Sequence, residues 1–206
     1  GGAIDAPQTA GLGRVKVSLG GPLSPSLGGS LAAAYSGHEP TLMNALPGAP
    51  DGNDQARATL RGQLLWTGAE NLKLRLIAGH MQQRDRQGES DVYFAPGADS
   101  TRVATALQQL EGVAPCPDNV PRNRVSCFDS TNELDLEASD LTLSADYRFD
   151  NGWTLSSLSS WDRYESRRTD DDAVQMFAPL AFYRDSEQGE SVQQELRLAS
   201  AEAARV

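Results

Sequence analysis

The stretch Leu141-Thr142-Leu143-Ser144-Ala145-Asp146-Tyr147-Arg148-Phe149, followed by Asn151-Gly152, decides the fold. Leu141, Leu143, Ala145, Tyr147 and Phe149 fall on one side, and Thr142, Ser144, Asp146 and Arg148 on the other. Strict alternation of this kind marks a β-strand with one apolar and one polar face. Asn-Gly between alternating runs is the strongest short-range hairpin signal. The chain resumes with Trp153, Thr154 and Leu155, continues Ser-rich, and reaches Trp161 and Tyr164. The passage therefore spells a β-hairpin with aromatics at its ends.

Working outward, the same pattern recurs. Val15, Val17 and Leu19 alternate with Arg14, Lys16 and Ser18 before Gly20-Gly21-Pro22 ends the run. Leu31, Ala33 and Tyr35 share a side, as do Leu60, Gly62, Leu64 and Trp66 opposite Arg61 and Gln63. Leu72, Leu74, Leu76 and Ala78 stand opposite Lys73, Arg75, Ile77 and Gly79, and Val192, Leu196 and Leu198 opposite Gln193, Glu195 and Arg197. Seven strands are expected, near 11–20, 28–37, 57–67, 71–84, 138–149, 152–165 and 191–200. Their connections alternate in length: short at 21–27, 67–71 and 150–152, long at 38–56, 86–137 and 166–190. A membrane barrel sorts its loops this way, with short turns at one rim and long loops at the other. The fold class expected is thus all-β, an antiparallel meander. Trp66, Phe149 and Trp153 flank short turns on the apolar side, where an interfacial aromatic girdle belongs.

The composition agrees with a folded chain. Of 206 residues 39 % are hydrophobic, and no apolar run is long enough for a membrane-spanning helix. Net charge is −10, which argues against a nucleic-acid partner. Lysine occurs only at Lys16 and Lys73, against 16 arginines. Residues 1–10 carry neither the basic start nor the apolar core of a signal peptide, so a mature, trimmed or partial chain is expected. No nucleophile elbow, zinc-protease helix motif or phosphate loop occurs, and neither His38 nor His80 has a catalytic partner at short range, so no enzymatic role, cofactor or metal site is expected. Cys116 and Cys127, with ten residues between them, form a candidate disulfide if the compartment is oxidising, with two free thiols as the other reading.

The long segments are acidic. Between Asp85 and Glu137 ten Asp/Glu face four Arg, and Ser100 is placed to cap a helix carrying Val103, Leu107 and Leu110. Asp170-Asp171-Asp172 reads as a solvated charge run. The charges in mid-strand, Arg61, Lys73, Arg75, Asp146, Arg148, Glu195 and Arg197, face either bulk water in a soluble sandwich or a wet lumen in a barrel; periodicity leaves both open.

The local wording resembles TonB-dependent outer-membrane receptors. Gly20-Gly21-Pro22-Leu23-Ser24 and the strand around Leu31 are similar to that family's first periplasmic turn. Arg61 to Trp66 with Asn71 to Leu76 resembles its next hairpin, and Gly152-Trp153-Thr154-Leu155-Ser156-Ser157 with Asp170-Asp171-Asp172 its third. Gln194-Glu195-Leu196-Arg197-Leu198-Ala199-Ser200 is typical of the siderophore-receptor-like branch, and Gly1-Gly2-Ala3-Ile4 resembles the end of the plug. The resemblance spans residues 11 to 200.

It implies a segment of a 22-stranded transmembrane barrel with long extracellular loops, residues 1–10 closing the plug and linker and 11–206 forming part of the barrel. It implies import of a scarce nutrient such as a ferric siderophore, in the outer membrane of a Gram-negative bacterium. The partners would be outer-membrane lipid, the protein's own plug, the TonB complex and a small-molecule ligand. The seven charged residues above would face lumen or plug. Tyr93, Phe94, Asp170, Asp171, Asp172, Phe177, Phe182 and Tyr183 are candidate ligand contacts in loops. The chain departs from the family pattern in lacking most of the plug, a clear first strand before Gly11 and some two thirds of the barrel. Seven strands leave two unpaired edges, costly in hydrocarbon, so the chain is expected to be a piece of a transporter. The rival expectations are a soluble extracellular β-sandwich binding or adhesion module, and a small self-contained barrel of eight strands with an extra strand in 101–136.

Overall fold

The computed structural model describes residues 11–45, 48, 50–87, 102, 105, 106, 109, 124–126, 132–171 and 182–201. Among these residues nine strands follow one another: β1 (Leu12–Ser24), β2 (Leu27–His38), β3 (Met43–Asn44), β4 (Asp54–Ala69), β5 (Leu72–Gln87), β6 (Val125–Ser126), β7 (Asn132–Arg148), β8 (Thr154–Asp171) and β9 (Phe182–Ala199). Seven of them form one sheet in the order β1-β2-β4-β5-β7-β8-β9, every neighbour antiparallel. This is the expected meander. The described strands pack into no second layer, which removes the sandwich. The 101–136 segment adds no eighth strand to the sheet among the described residues: β6 pairs with β3 in a separate parallel ladder of two residues. Arg102, Thr105, Ala106 and Gln109 are helical, while Val103, Leu107 and Leu110 lie outside the described residues.

Registers carry the apolar positions across all seven strands of the sheet. Val17 stands opposite Ala33, Ala33 opposite Leu60, Leu64 opposite Leu76, Leu76 opposite Leu143, Tyr147 opposite Leu155 and Leu155 opposite Leu198. A one-residue slip at any ladder would break this face, so patterning fixes the register. Nothing in the described chain covers it: Leu19, Leu31 and Leu196 are 60, 50 and 69 % exposed. Leu42, in the connection after β2, is the sole large apolar side chain buried below a tenth among the described residues.

The strands outrun the sequence expectation at the long-loop rim. β7 begins at Asn132 instead of 138, β8 ends at Asp171 instead of 165, and β9 begins at Phe182 instead of 191. The connections there shrink to 39–53, 88–131 and 172–181. Beyond His80 and Ser139 the apolar band does not continue: β5 turns polar after Met81, and on β7 Leu134, Leu136 and Ala138 fall on the charged side with Glu133, Asp135 and Glu137 on the other. The backbone ladder continues nonetheless, joined by cross-strand pairs such as Arg84–Asp135 at 3.4 Å and Arg86–Asp54 at 3.4 Å. At the other rim Gly20-Gly21-Pro22 does not end β1, which runs on to Ser24 through a register shift between Pro22 and Ser24. β1 is an edge strand, and edges and bulges tolerate a residue without an N–H.

The hairpin at 150–152 forms, though not as a two-residue turn. Gly152 alone takes positive φ (81°), and its N–H donates to Phe149 O at 2.9 Å, while Phe149 N donates to Trp153 O at 2.8 Å. That is a three-residue loop with glycine in the left-handed position. Asn151 contributes its side chain, accepting from Trp153 N at 3.1 Å.

Candidate functional site

The registers place all seven charged residues singled out above on one face, opposite the apolar one. Six of them gather near the short-turn rim. Lys73 stands opposite Asp146, Asp146 opposite Ser156, and Ser156 opposite Arg197, giving a row of cation, anion, hydroxyl and cation. Ser156 Oγ donates to Asp146 Oδ1 at 2.6 Å. The next row runs Arg75, Ser144, Leu158, Glu195, and Arg148 closes the rim opposite Thr154.

Arg61 lies further up. It shares a row with Gly79, Asp140, Asp162 and Ser191. Asp140 reaches across Gly79 toward Arg61, with Oδ2 to Nη1 at 4.0 Å. A Cβ on Gly79 would sit 2.1 Å from Asp140 Oδ1, so the missing side chain clears the path. Ser191 Oγ donates to Asp162 Oδ2 at 3.5 Å. Both partners of the Arg61 pair are well exposed, and such pairs contribute about 0–1 kcal/mol.

The face also holds residues not singled out from sequence. Arg14, Lys16 and Arg57 share its parity. Tyr164 lies over Gly189, where a Cβ would come within 2.3 Å of the ring, and donates to Glu187 Oε1 at 2.5 Å. This hydrogen bond, beyond the apolar band, holds the phenol above its ordinary pKa range. Same-parity charges on β1, at Asp140 and at Asp162 were the available signal for these positions, while Glu187 fell in what reads as loop.

The apolar face has one polar interruption. Gln194, between Val192 and Leu196, donates through Nε2 to Ser157 Oγ at 3.0 Å and accepts from Ser159 Oγ at 2.5 Å. The three polar side chains satisfy one another. Above the band, His80 meets Ser139 Oγ at 2.9 Å and Glu137 at 3.7 Å.

Of the candidate ligand contacts, Asp170 and Asp171 lie in β8 and Phe182 and Tyr183 in β9, paired Asp170 with Tyr183 and Asp171 with Phe182. They extend a strand ladder where loop was expected, because backbone pairing continues past the last apolar alternation. Tyr93, Phe94, Asp172, Phe177, Cys116 and Cys127 lie outside the described residues. Among the described residues no group of three or more His, Cys, Asp or Glu could hold a metal ion. The first two long connections are joined: Met43 N donates to Arg124 O at 2.9 Å, and Asn44 is held by Asp51 and Pro50 at 2.8 and 3.1 Å.

A solved structure shares this fold. The ferric yersiniabactin uptake receptor FyuA from Yersinia pestis superposes with a TM-score of 0.65 at 18 % identity, over 94 % of this chain and 26 % of that one. The chain thus spans about a quarter of that receptor's length. At this identity the likeness is one of fold: the seven-stranded meander follows the course of part of a receptor chain. No protein-family model matches the chain, and no curated protein matches it by sequence.

Proposed function

We propose that the chain is part of the β-barrel wall of a TonB-dependent outer-membrane receptor that imports a scarce nutrient such as a ferric siderophore. Residues 11–206 belong to the barrel and residues 1–10 to the end of the plug and its linker. The observation that carries the reading is the uncovered apolar face, broken by the mutually bonded Ser157, Ser159 and Gln194, on a sheet whose other face is charged. A soluble protein rarely leaves so large an apolar surface bare. A barrel turns that surface to lipid and the polar one to its lumen. The fold shared with a ferric yersiniabactin uptake receptor supports the same reading.

In this reading Arg61, Lys73, Arg75, Asp146, Arg148, Glu195 and Arg197 face lumen or plug. The joined long connections stand at the outer rim, where a ligand would first be met. The chemistry is binding and gating, with no bond made or broken in the ligand.

The test is expression of the complete reading frame in a Gram-negative host. The expected result is an outer-membrane protein with heat-modifiable gel mobility that restores growth on a ferric chelate as sole iron source. Residues 11–201 purifying without detergent as a soluble, cooperatively unfolding monomer would sink the proposal.

A further inference from the structure

Toward the outer rim the side of the sheet that carries the apolar band turns charged, and it does so on one sector. Ala78, Leu141, Trp161 and Val192 form the last apolar row across β5, β7, β8 and β9. Two residues further along the strands, on the same side, Arg163 stands opposite Glu190. Four further, Glu137 stands opposite Glu165, and six further Arg84, Asp135 and Arg167 alternate. On β4, β2 and β1 the matching positions stay uncharged, from Leu60, Ala33 and Val17 up to Ala56, Gly37 and Gly13.

The charged sector is mixed in sign. Over the four rows from His80 to Arg86, β5, β7, β8 and β9 present five arginines and five carboxylates on this side. Arg84 and Arg167 are 86 and 70 % exposed, and they pair with Asp135 at 3.4 Å and with Glu165. Exposed pairs of this kind hold loosely, so either guanidinium is available to another anion. Arg163 is freer still. Its neighbour Glu190 accepts from Trp161 Nε1 at 2.7 Å, and among the described residues Arg163 makes no ion pair.

At about 3.3 Å per residue and a strand tilt near 40°, the three rows stand about 5, 10 and 15 Å above the last apolar row. The head-group layer of an ordinary phospholipid bilayer is only about 5–8 Å deep. A charged sector twice as tall fits a lipid with an extended polar head, such as a phosphorylated sugar. A uniformly anionic layer would be met by a basic surface. Phosphates bridged by divalent cations instead carry both signs at close spacing, and equal numbers of arginines and carboxylates complement them. A guanidinium takes a metal ion's place between phosphates, gripping one through two parallel N–H bonds.

We propose that this sector, on the lipid side of β5, β7, β8 and β9, binds a phosphorylated glycolipid whose head groups are bridged by divalent cations, with Arg84, Arg163 and Arg167 holding the phosphates. The inference rests on reading the chain as barrel wall with its apolar band in lipid. It adds the class of lipid and the sector that meets it.

The test uses full-length protein, purified in detergent, stripped of lipid and titrated in magnesium. The probes are the bis-phosphorylated glycolipid of the host outer membrane, the same lipid dephosphorylated, and phosphatidylglycerol. Native mass spectrometry reads the adducts. The expected adduct forms with the bis-phosphorylated lipid alone and is lost on chelation of magnesium. It is also lost in the Arg84→Gln, Arg163→Gln, Arg167→Gln variant and kept in Arg14→Gln, Lys16→Gln, whose changes lie on the other side of the sheet. An adduct that survives chelation or the triple substitution overturns the proposal. So does an equal adduct with either comparison lipid, and so does the absence of any adduct, which leaves the sector in water. Heat-modifiable mobility is scored on the same samples. Its absence from the unmutated protein strikes the barrel reading itself, and its presence without the expected adduct strikes only the lipid site.

Discussion

Two glycines of this chain are glycines for different reasons. At Gly152 the backbone itself demands it: φ is +81°, and a Cβ would also press on Ala201 Cβ at 2.9 Å. Gly152→Ala is expected to cost about 1–2 kcal/mol, measured by denaturant unfolding of the full-length protein folded in lipid vesicles. At Gly79 the backbone is ordinary, and the constraint is the carboxylate passing over it. Gly79→Ala should therefore change stability by less than about 1 kcal/mol, since only an exposed ion pair is disturbed. It should nonetheless abolish the coupling between Arg61 and Asp140 in a double-mutant cycle. At the short-turn rim, if the chain is the barrel wall proposed above, Arg75→Ala or Arg148→Ala in the full-length protein is expected to loosen plug seating more than ligand capture. Increased single-channel leakage with unchanged ligand affinity is the expected pattern, and unchanged leakage in both variants counts against it.

At the scale of a strand, legibility in the sequence tracked the contrast between faces. Where one face is apolar, as along Leu141 to Tyr147, the period of two was plain and the strand, its register and its partner turn were all readable. Where both faces are charged, as along Arg84-Asp85-Arg86, or where the parity of the apolar residues reverses, as at Leu134 and Leu136 between Glu133, Asp135 and Glu137, the strand persists but the pattern of the band is gone, and these residues read as loop. The same blindness moved Asp170, Asp171, Phe182 and Tyr183 from loop into ladder. The parity of Arg61, Lys73, Arg75, Asp146, Arg148, Glu195 and Arg197 was legible. The reach of Asp140 over Gly79 was not, because it depends on three strands at once. β9 offers a direct check of what the apolar face meets. Gln194 sits mid-band with its amide satisfied by two serines. Gln194→Leu is expected to be near neutral, whereas Gln194→Arg should cost about 2–4 kcal/mol if the band faces the lipid midplane. Vesicle unfolding of the two variants reads the difference, and equal stability of both would place the face in water.

At the scale of the molecule, a sheet with one bare apolar face and two open edges is complete only as part of something larger. Among the described residues β1 and β9 are edge strands, each with a row of unpaired backbone groups, and in hydrocarbon such groups cost several kcal/mol apiece. Residues 11–201 expressed alone are expected to aggregate without detergent, followed by sedimentation, and to remain unable to restore chelate uptake.

The parallel contact between β3 and β6 has its own bearing on how the molecule opens and closes. Every ladder of the sheet joins neighbours in the meander, while Met43 and Val125 are 82 positions apart and, among the described residues, their ladder is two residues long. Closing so wide a chain loop for so few hydrogen bonds leaves little net gain. The amide of Met43 should therefore exchange with solvent deuterium far sooner than those of β5 or β7, whose opening requires the sheet itself to part. The two outer connections would then unfasten together, as one low-stability unit, on a wall that stays closed.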